Sequence, residues 1–144
     1  MSDWKQRVER AFEAFNRRDL TRAAGSDDLN DDVEWIDPGL PGPLRGVAAV
    51  RMFMGSLINA FPDARMTVRG AIEGKDAVAV EYTWTGTHLG PLPMGSIPAT
   101  GKQVHIESCM VFATAGGRIS KVRVYPDNLT LLAQLGLANA PVSA

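Results

Sequence analysis

The sequence holds one cysteine, Cys109, and two histidines, His88 and His105, in 144 residues. A single thiol excludes an intrachain disulfide, and no Cys/His grouping has the spacing of a zinc site. An excess of positive charge is also lacking. Fifteen Lys and Arg face sixteen Asp and Glu, for a formal net charge of −1. Nucleic acid needs a basic patch that displaces counterions, so it is not expected as a partner. An anionic membrane surface is disfavoured for the same reason. No apolar run is long enough to span a bilayer. The N-terminus is charged from Asp3 onward and lacks an apolar signal core, so the cytoplasm is the expected location. Internal repeats and low-complexity stretches are absent.

What is present suits one domain over 1–144, with a core at about 4–136 and a tail at 137–144. Hydrophobic residues make up 45% and charged residues 22%, ordinary values for a globular chain. A chain of this length can bury one core and still keep a cavity.

Trp4, Val8, Ala11, Phe12 and Phe15 recur at helical spacing, with Lys5, Arg7, Arg10 and Glu13 on the other side. With Ser2 or Asp3 as N-cap, the pattern predicts a helix over about 3–17. Asp19 can cap a short helix near Leu20–Ala24, ended by Gly25. The acidic stretch Ser26–Asp32 reads as loop. Val33–Ile36 reads as a short strand, stopped by Asp37-Pro38, and the Pro- and Gly-rich run 39–46 as an ordered turn. Val50, Phe53, Met54, Leu57, Ile58 and Phe61 give a helix over about Val47–Ala60, terminated by Pro62. So wide an apolar face usually covers a sheet. From Ala64 the period becomes two. Met66, Val68 and Ile72, then Val78, Val80, Tyr82 and Trp84, form a hairpin about the 74–76 turn. Leu89–Thr100 is loop. Val104–Ala115 and Arg118–Tyr125 are strands joined by Gly116-Gly117. Asp127 can cap a last helix over Asn128–Leu135, with Gly136 at C′.

Helices first and meandering antiparallel strands after give an α+β fold with helices on one face of a bent sheet. The concave face should hold a pocket for a small, mostly apolar molecule. The convex face should be buried in a homodimer.

"DDVEWIDP" (31–38), "AFPDARMTV" (60–68), "GTHLGPL" (86–92), "PATGKQV" (98–104), "GGRI" (116–119) and "YPDNLTLLAQLG" (125–136) together resemble the SnoaL-like polyketide cyclase family. That family belongs to the nuclear transport factor 2-like superfamily, and the likeness runs from about residue 4 to 136. It implies a cone-shaped α+β barrel, cystatin-like in outline and often dimeric. It further implies metal-free, often cofactor-free acid/base chemistry on small hydrophobic oxygenated molecules, so no cofactor is expected. Name-giving members close a ring by intramolecular aldol condensation, and relatives are hydroxylases, isomerases, dehydratases or hydrolases. Other members only bind or carry a ligand.

Aldol closure needs a base near an acidic C–H and a donor to the developing enolate. The resemblance places the cyclase Asp and His at Val124 and Met110, both apolar here. Asp127 matches an Asp shared by much of the family. It reads as a catalytic carboxylate at the pocket end or as a helix N-cap, and the two roles are compatible. His88 matches the histidine of the family's G-x-H-x-G stretch and reads as a proton shuttle or as a structural clamp on the 89–100 loop. If Met110 faces the pocket, so do Ile106 and Ser108, while His105 and Glu107 face outward. A register slip would make His105 and Glu107 the acid/base pair, and Glu81 shares that ambiguity. Trp35, Asp37, Tyr82, Trp84, Ser108, Met110, Val124 and Tyr125 are the candidate substrate-binding residues. Asp37, before Pro38, is most simply a turn residue. Met52, Met54, Met66, Met94 and Met110 suit an adaptable apolar cavity or a gap-filled core. Cys109 has nothing evident to activate it.

Overall fold

The computed structural model describes residues 3–93 and 97–139, so Ser2, Met94 and the far end of the tail lie outside the described residues. The chain runs α1 (Trp4–Asn16), α2 (Leu20–Ala23), β1 (Leu29–Ile36), β2 (Leu44–Arg45), α3 (Val47–Ala60), β3 (Arg65–Glu73), β4 (Ala77–Thr87), β5 (Gln103–Ala115), β6 (Arg118–Pro126) and α4 (Asn128–Gln134). Asp3 is the N-cap position of α1 but makes no side-chain cap bond. Asp19 does cap α2, accepting from the Arg22 N–H.

One six-stranded sheet has the order β2-β1-β6-β5-β4-β3. It is mixed: β1 lies parallel to β6, while the other pairings are antiparallel. The antiparallel meander expected from the sequence holds across β3, β4, β5 and β6, and the parallel β1–β6 pairing is an addition to it. β1 is joined to the remaining strands through α3, and such a crossover allows parallel pairing with the last strand. Strand β1 also starts four residues before Val33. Its acidic residues Asp31 and Asp32 are exposed while Leu29 is buried, so this stretch is strand and not loop. Within the Pro- and Gly-rich run, Leu44 and Arg45 pair with Trp35 and Glu34.

Register shifts between Val68 and Gly70 and between Ala113 and Thr114 bend the sheet. A bulge adds a residue to one strand and sharpens its twist. At the β5–β6 turn Gly116 and Gly117 have φ of 61° and 79°, the primed-turn geometry that favours glycine. Tyr82, Trp84, Ile106, Ser108, Met110, Phe112, Val122 and Val124 stand on the concave face, packed beneath α1, α3 and α4. The convex face carries exposed Glu81, His105, Glu107, Arg123 and Tyr125.

Two amides fasten helices to strand backbone. Asn16 donates to Met66 O and accepts from Met66 N, both at 2.8 Å. Gln134 accepts from His105 N at 2.7 Å and donates to His105 O at 2.9 Å. The second pair holds α4 over the end of β5 that β6 does not reach. No helix among the described residues is long and apolar enough to cross a membrane.

Candidate active site

The helices and the concave face enclose a cavity of about 120 Å³. At roughly 10–15 Å³ per water-sized site, that is room for on the order of ten non-hydrogen atoms. Its walls are mainly aromatic and aliphatic. Phe12 meets Tyr82 edge-on at 5.2 Å, and Trp35 meets Phe53 at 6.2 Å. Such contacts fix ring planes, so the wall is shaped and stiff.

Met110 and Val124 are direct partners across β5 and β6, are 7% and 5% exposed, and both line the cavity. The two places where the resemblance sets a cyclase His and Asp are thus filled by facing apolar side chains. Ile106 and Ser108 share that face, and His105 and Glu107 lie on the other, two-thirds exposed. The register is unslipped.

His88, Asp127, His105, Glu107 and Tyr125 do not line the cavity. Asp127 accepts from Thr130 N at 3.0 Å and from Thr130 Oγ1 at 2.6 Å, so capping occupies both carboxylate oxygens. Those bonds hold its carboxyl below the usual carboxylate range. Tyr125 is 56% exposed and sits with Glu107 and Asp127 beside a shallow groove on the convex face. His88 is fully buried. Its Nδ1 accepts from Thr100 N at 3.2 Å and lies 3.0 Å from Thr100 Oγ1, while its ring packs on Phe61 at 5.4 Å. Its backbone bonds to Lys102 and Gly101. It clamps both ends of the 89–100 segment, and burial pushes its pKa down, towards the neutral ring.

The cavity does receive polar groups from elsewhere. Val33 and Trp35 point inward from β1, and the same alternation carries on to Asp37, one residue past the strand end. Burial raises the Asp37 carboxyl above its ordinary value, opposed by one N–H from Gly39 at 2.9 Å. Asp37 has no ion-pair partner among the described residues. Tyr82 and Ser108 are direct neighbours across β4 and β5, and both line the cavity. Burial, aided by the negative charge of Asp37, raises the Tyr82 phenol well above its ordinary value, so it stays a neutral donor. The other carboxylate in the lining, Asp28, is paired with Arg7 at 2.8 Å. Arg7 also stacks over Trp4 at 3.7 Å and donates to Gly117 O at 3.1 Å, which closes that end.

Arg7, Asp28 and Asn128 are lining residues that sequence reasoning did not single out. Arg7 and Asp28 meet across 21 residues and the Gly117 contact spans 110, distances that leave no local signal. Asn128 reads as the first residue of a helix and nothing more. For Asp37 a signal did exist, in the Val33–Trp35–Asp37 alternation.

A curved sheet with helices over its concave face and a cavity between them defines the nuclear transport factor 2-like fold. The model of the SnoaL-like polyketide cyclase family matches residues 6–135. The chain belongs to that family. Three solved structures illustrate the likeness. A candidate polyketide cyclase from Acidithiobacillus ferrooxidans is 27% identical, with a TM-score of 0.75 and coverage of 96% of this chain and 97% of that one. AclR of Streptomyces galilaeus, described as a candidate hydroxylase, is 22% identical, with a TM-score of 0.76 and coverage of 94% and 96%. An NTF2-like protein of unknown function from Burkholderia pseudomallei is 23% identical, with a TM-score of 0.77 and coverage of 94% and 98%. No curated protein matches the chain.

Proposed function

We propose that the protein is an acid/base enzyme of the cyclase type, acting on a small hydrophobic carbonyl compound with Asp37 as its base. The observation that supports this most is a half-buried carboxylate, without an ion-pair partner among the described residues, in the wall of a mainly apolar cavity. Desolvation raises its proton affinity towards the working pH, where a general base acts best. The Asp37 carboxylate takes a proton from the carbon next to the carbonyl. The C–H electron pair becomes the C=C bond of an enolate, whose oxygen accepts from the Ser108–Tyr82 hydroxyl pair. In a ring closure the enolate carbon attacks a second carbonyl carbon of the same molecule. Protonated Asp37 then returns the proton to the new alkoxide. In a substrate whose C=C bond conjugates with the enolate, return of the proton to the far carbon of that dienolate, with shift of the C=C bond, gives isomerisation instead.

The test uses 1-indanone, a ketone of ten non-hydrogen atoms, in D₂O. Deuterium should enter its α-CH₂ group faster with the protein than with buffer. Asp37→Asn should lower that gain by roughly 10²–10⁴-fold, the usual worth of a positioned base. A variant with the wild-type exchange rate would remove Asp37 from this role.

A second reading rests on the facing Met110 and Val124. In it the apolar walls fold or orient a reactive molecule sterically, as a template for cyclisation or hydroxylation, or merely hold a ligand. It predicts exchange that is indifferent to Asp37. A homodimer through the convex face, where Tyr125 is more than half exposed beside Cys109, and a cytoplasmic location belong to the same proposal.

A further inference from the structure

Among the described residues, three charged side chains line the cavity: Arg7, Asp28 and Asp37. Arg7 and Asp28 pair at 2.8 Å and cancel. Arg7 is held further by the Gly117 carbonyl at 3.1 Å and by the Trp4 ring at 3.7 Å. The lining is left with the single negative charge of Asp37. That side chain is half-buried. Its Oδ1 accepts from Gly39 N–H at 2.9 Å, and its Oδ2 has no hydrogen-bond partner among the described residues. Oδ2 is not one of the buried unpaired side-chain atoms either, so an incoming group can reach it. The charge is felt inside the cavity, because it helps to raise the phenol of Tyr82, a buried wall residue.

A carboxylate that has lost part of its water gains most from a partner of opposite charge. An anionic ligand would add a second negative charge beside it, and a neutral one would leave it unpaired. An ammonium is itself costly to desolvate, but a half-buried partner lets it keep part of its hydration. The rest of the wall is mainly aromatic and aliphatic and suits an apolar body. We propose that the cavity takes compact organic cations, amines in their protonated form, with Asp37 as the counter-ion. The ammonium donates to Asp37 Oδ2, and its hydrocarbon part packs on the apolar wall. This rests on the cavity being the ligand site, but not on Asp37 being the base. One carboxylate cannot hold an ammonium and take a proton from a ketone at once, so amine and ketone compete for the cavity.

The experiment compares 1-aminoindane, an ammonium at neutral pH, with 1-indanol, a neutral compound of the same skeleton and size, in ¹H–¹⁵N titrations of the whole chain. Wild type should bind the amine roughly tenfold tighter than the alcohol, the order of one hydrogen bond to a charged group. The Gly39 amide, which donates to Asp37, should move more with the amine than with the alcohol. Asp37→Asn should abolish the difference between the two compounds. Glu107→Gln removes a charge of the same sign from the exposed convex face and should leave that difference as it is. Equal binding of the two compounds by wild type overturns the inference, as does binding of neither. So does a preference that survives Asp37→Asn, or one that Glu107→Gln lowers as far. If Asp37→Asn binds neither compound, the wild-type Gly39 amide decides, and an equal response to both overturns the inference. The α-exchange of 1-indanone separates the two proposals. Amine preference without exchange keeps the counter-ion and removes the base, and exchange without amine preference does the reverse.

Discussion

Filling the cavity from within tests whether it is space or packed core. Val124 is the place to do it, because it faces Met110 at the cavity wall and is only 5% exposed. Val124→Phe adds four carbons. At about 0.8 kcal/mol for each buried carbon group, burial into empty space would stabilise by up to roughly 3 kcal/mol. Insertion into a filled core would instead cost about 1–3 kcal/mol in strained rotamers and backbone shifts. A cavity of about 120 Å³ has room for the added atoms, so the sign should be favourable. For a domain of this size 1 kcal/mol moves the midpoint by roughly 3–5 °C. Urea unfolding followed by Trp fluorescence, with Tm measured in parallel, reads the change. A higher urea midpoint with an unchanged slope is the expected result, together with loss of 1-indanone binding. A fall in the midpoint would refute the reasoning, because it would mean that the side chains already fill the space.

Asp37→Asn should raise Tm at neutral pH. Burial lifts the folded-state pKa above the unfolded value, so the charged carboxylate costs stability once pH passes the folded pKa, and that cost vanishes as pH falls towards 3.8. The gain over wild type, measured by thermal scans, should therefore disappear in acid. For His88 the folded-state pKa is lowered, so the folded protein binds fewer protons than the unfolded chain, and stability should drop as pH falls below about 6.5. Scans of wild type against His88→Gln over pH 5–8 should show a weaker pH slope in the variant. Gln134→Ala removes two hydrogen bonds to the His105 backbone. Being partly solvated, they should be worth about 1–2 kcal/mol together, with faster amide exchange in α4 than in β4.

The helices and most of the strands were legible because local chemistry and global fold agree there. Gly46 and Pro62 bracket α3, and its apolar stripe has one period throughout. Strand β1 was read too short because Asn30, Asp31 and Asp32 resemble loop, and only pairing with β6 makes them strand. Strand β2 is two residues in a proline-rich run, too short for any periodicity. The facing of Met110 and Val124 was legible despite the bulge beside Ser120, since the bulge lies nearer the turn and the pairing holds beyond it. Which carboxylate lines the cavity was not. Asp37 and Asp127 are both aspartates just past a strand; the family resemblance singles out Asp127, while Asp37 before Pro38 reads most simply as a turn residue. What separates them is three-dimensional: Thr130 takes up Asp127, whereas the inward face of β1 delivers Asp37 to the cavity.

The central claim is that Asp37 is a desolvated base in the cavity. A ¹³C-carboxyl NMR titration of wild type beside Asp37→Asn tests it most directly. One carboxyl signal, missing from the variant, should titrate above the ordinary aspartate range and move further up when 1-indanone fills the cavity and excludes water. A signal for Asp37 that titrates at or below the ordinary value, unmoved by the ketone, would contradict the account.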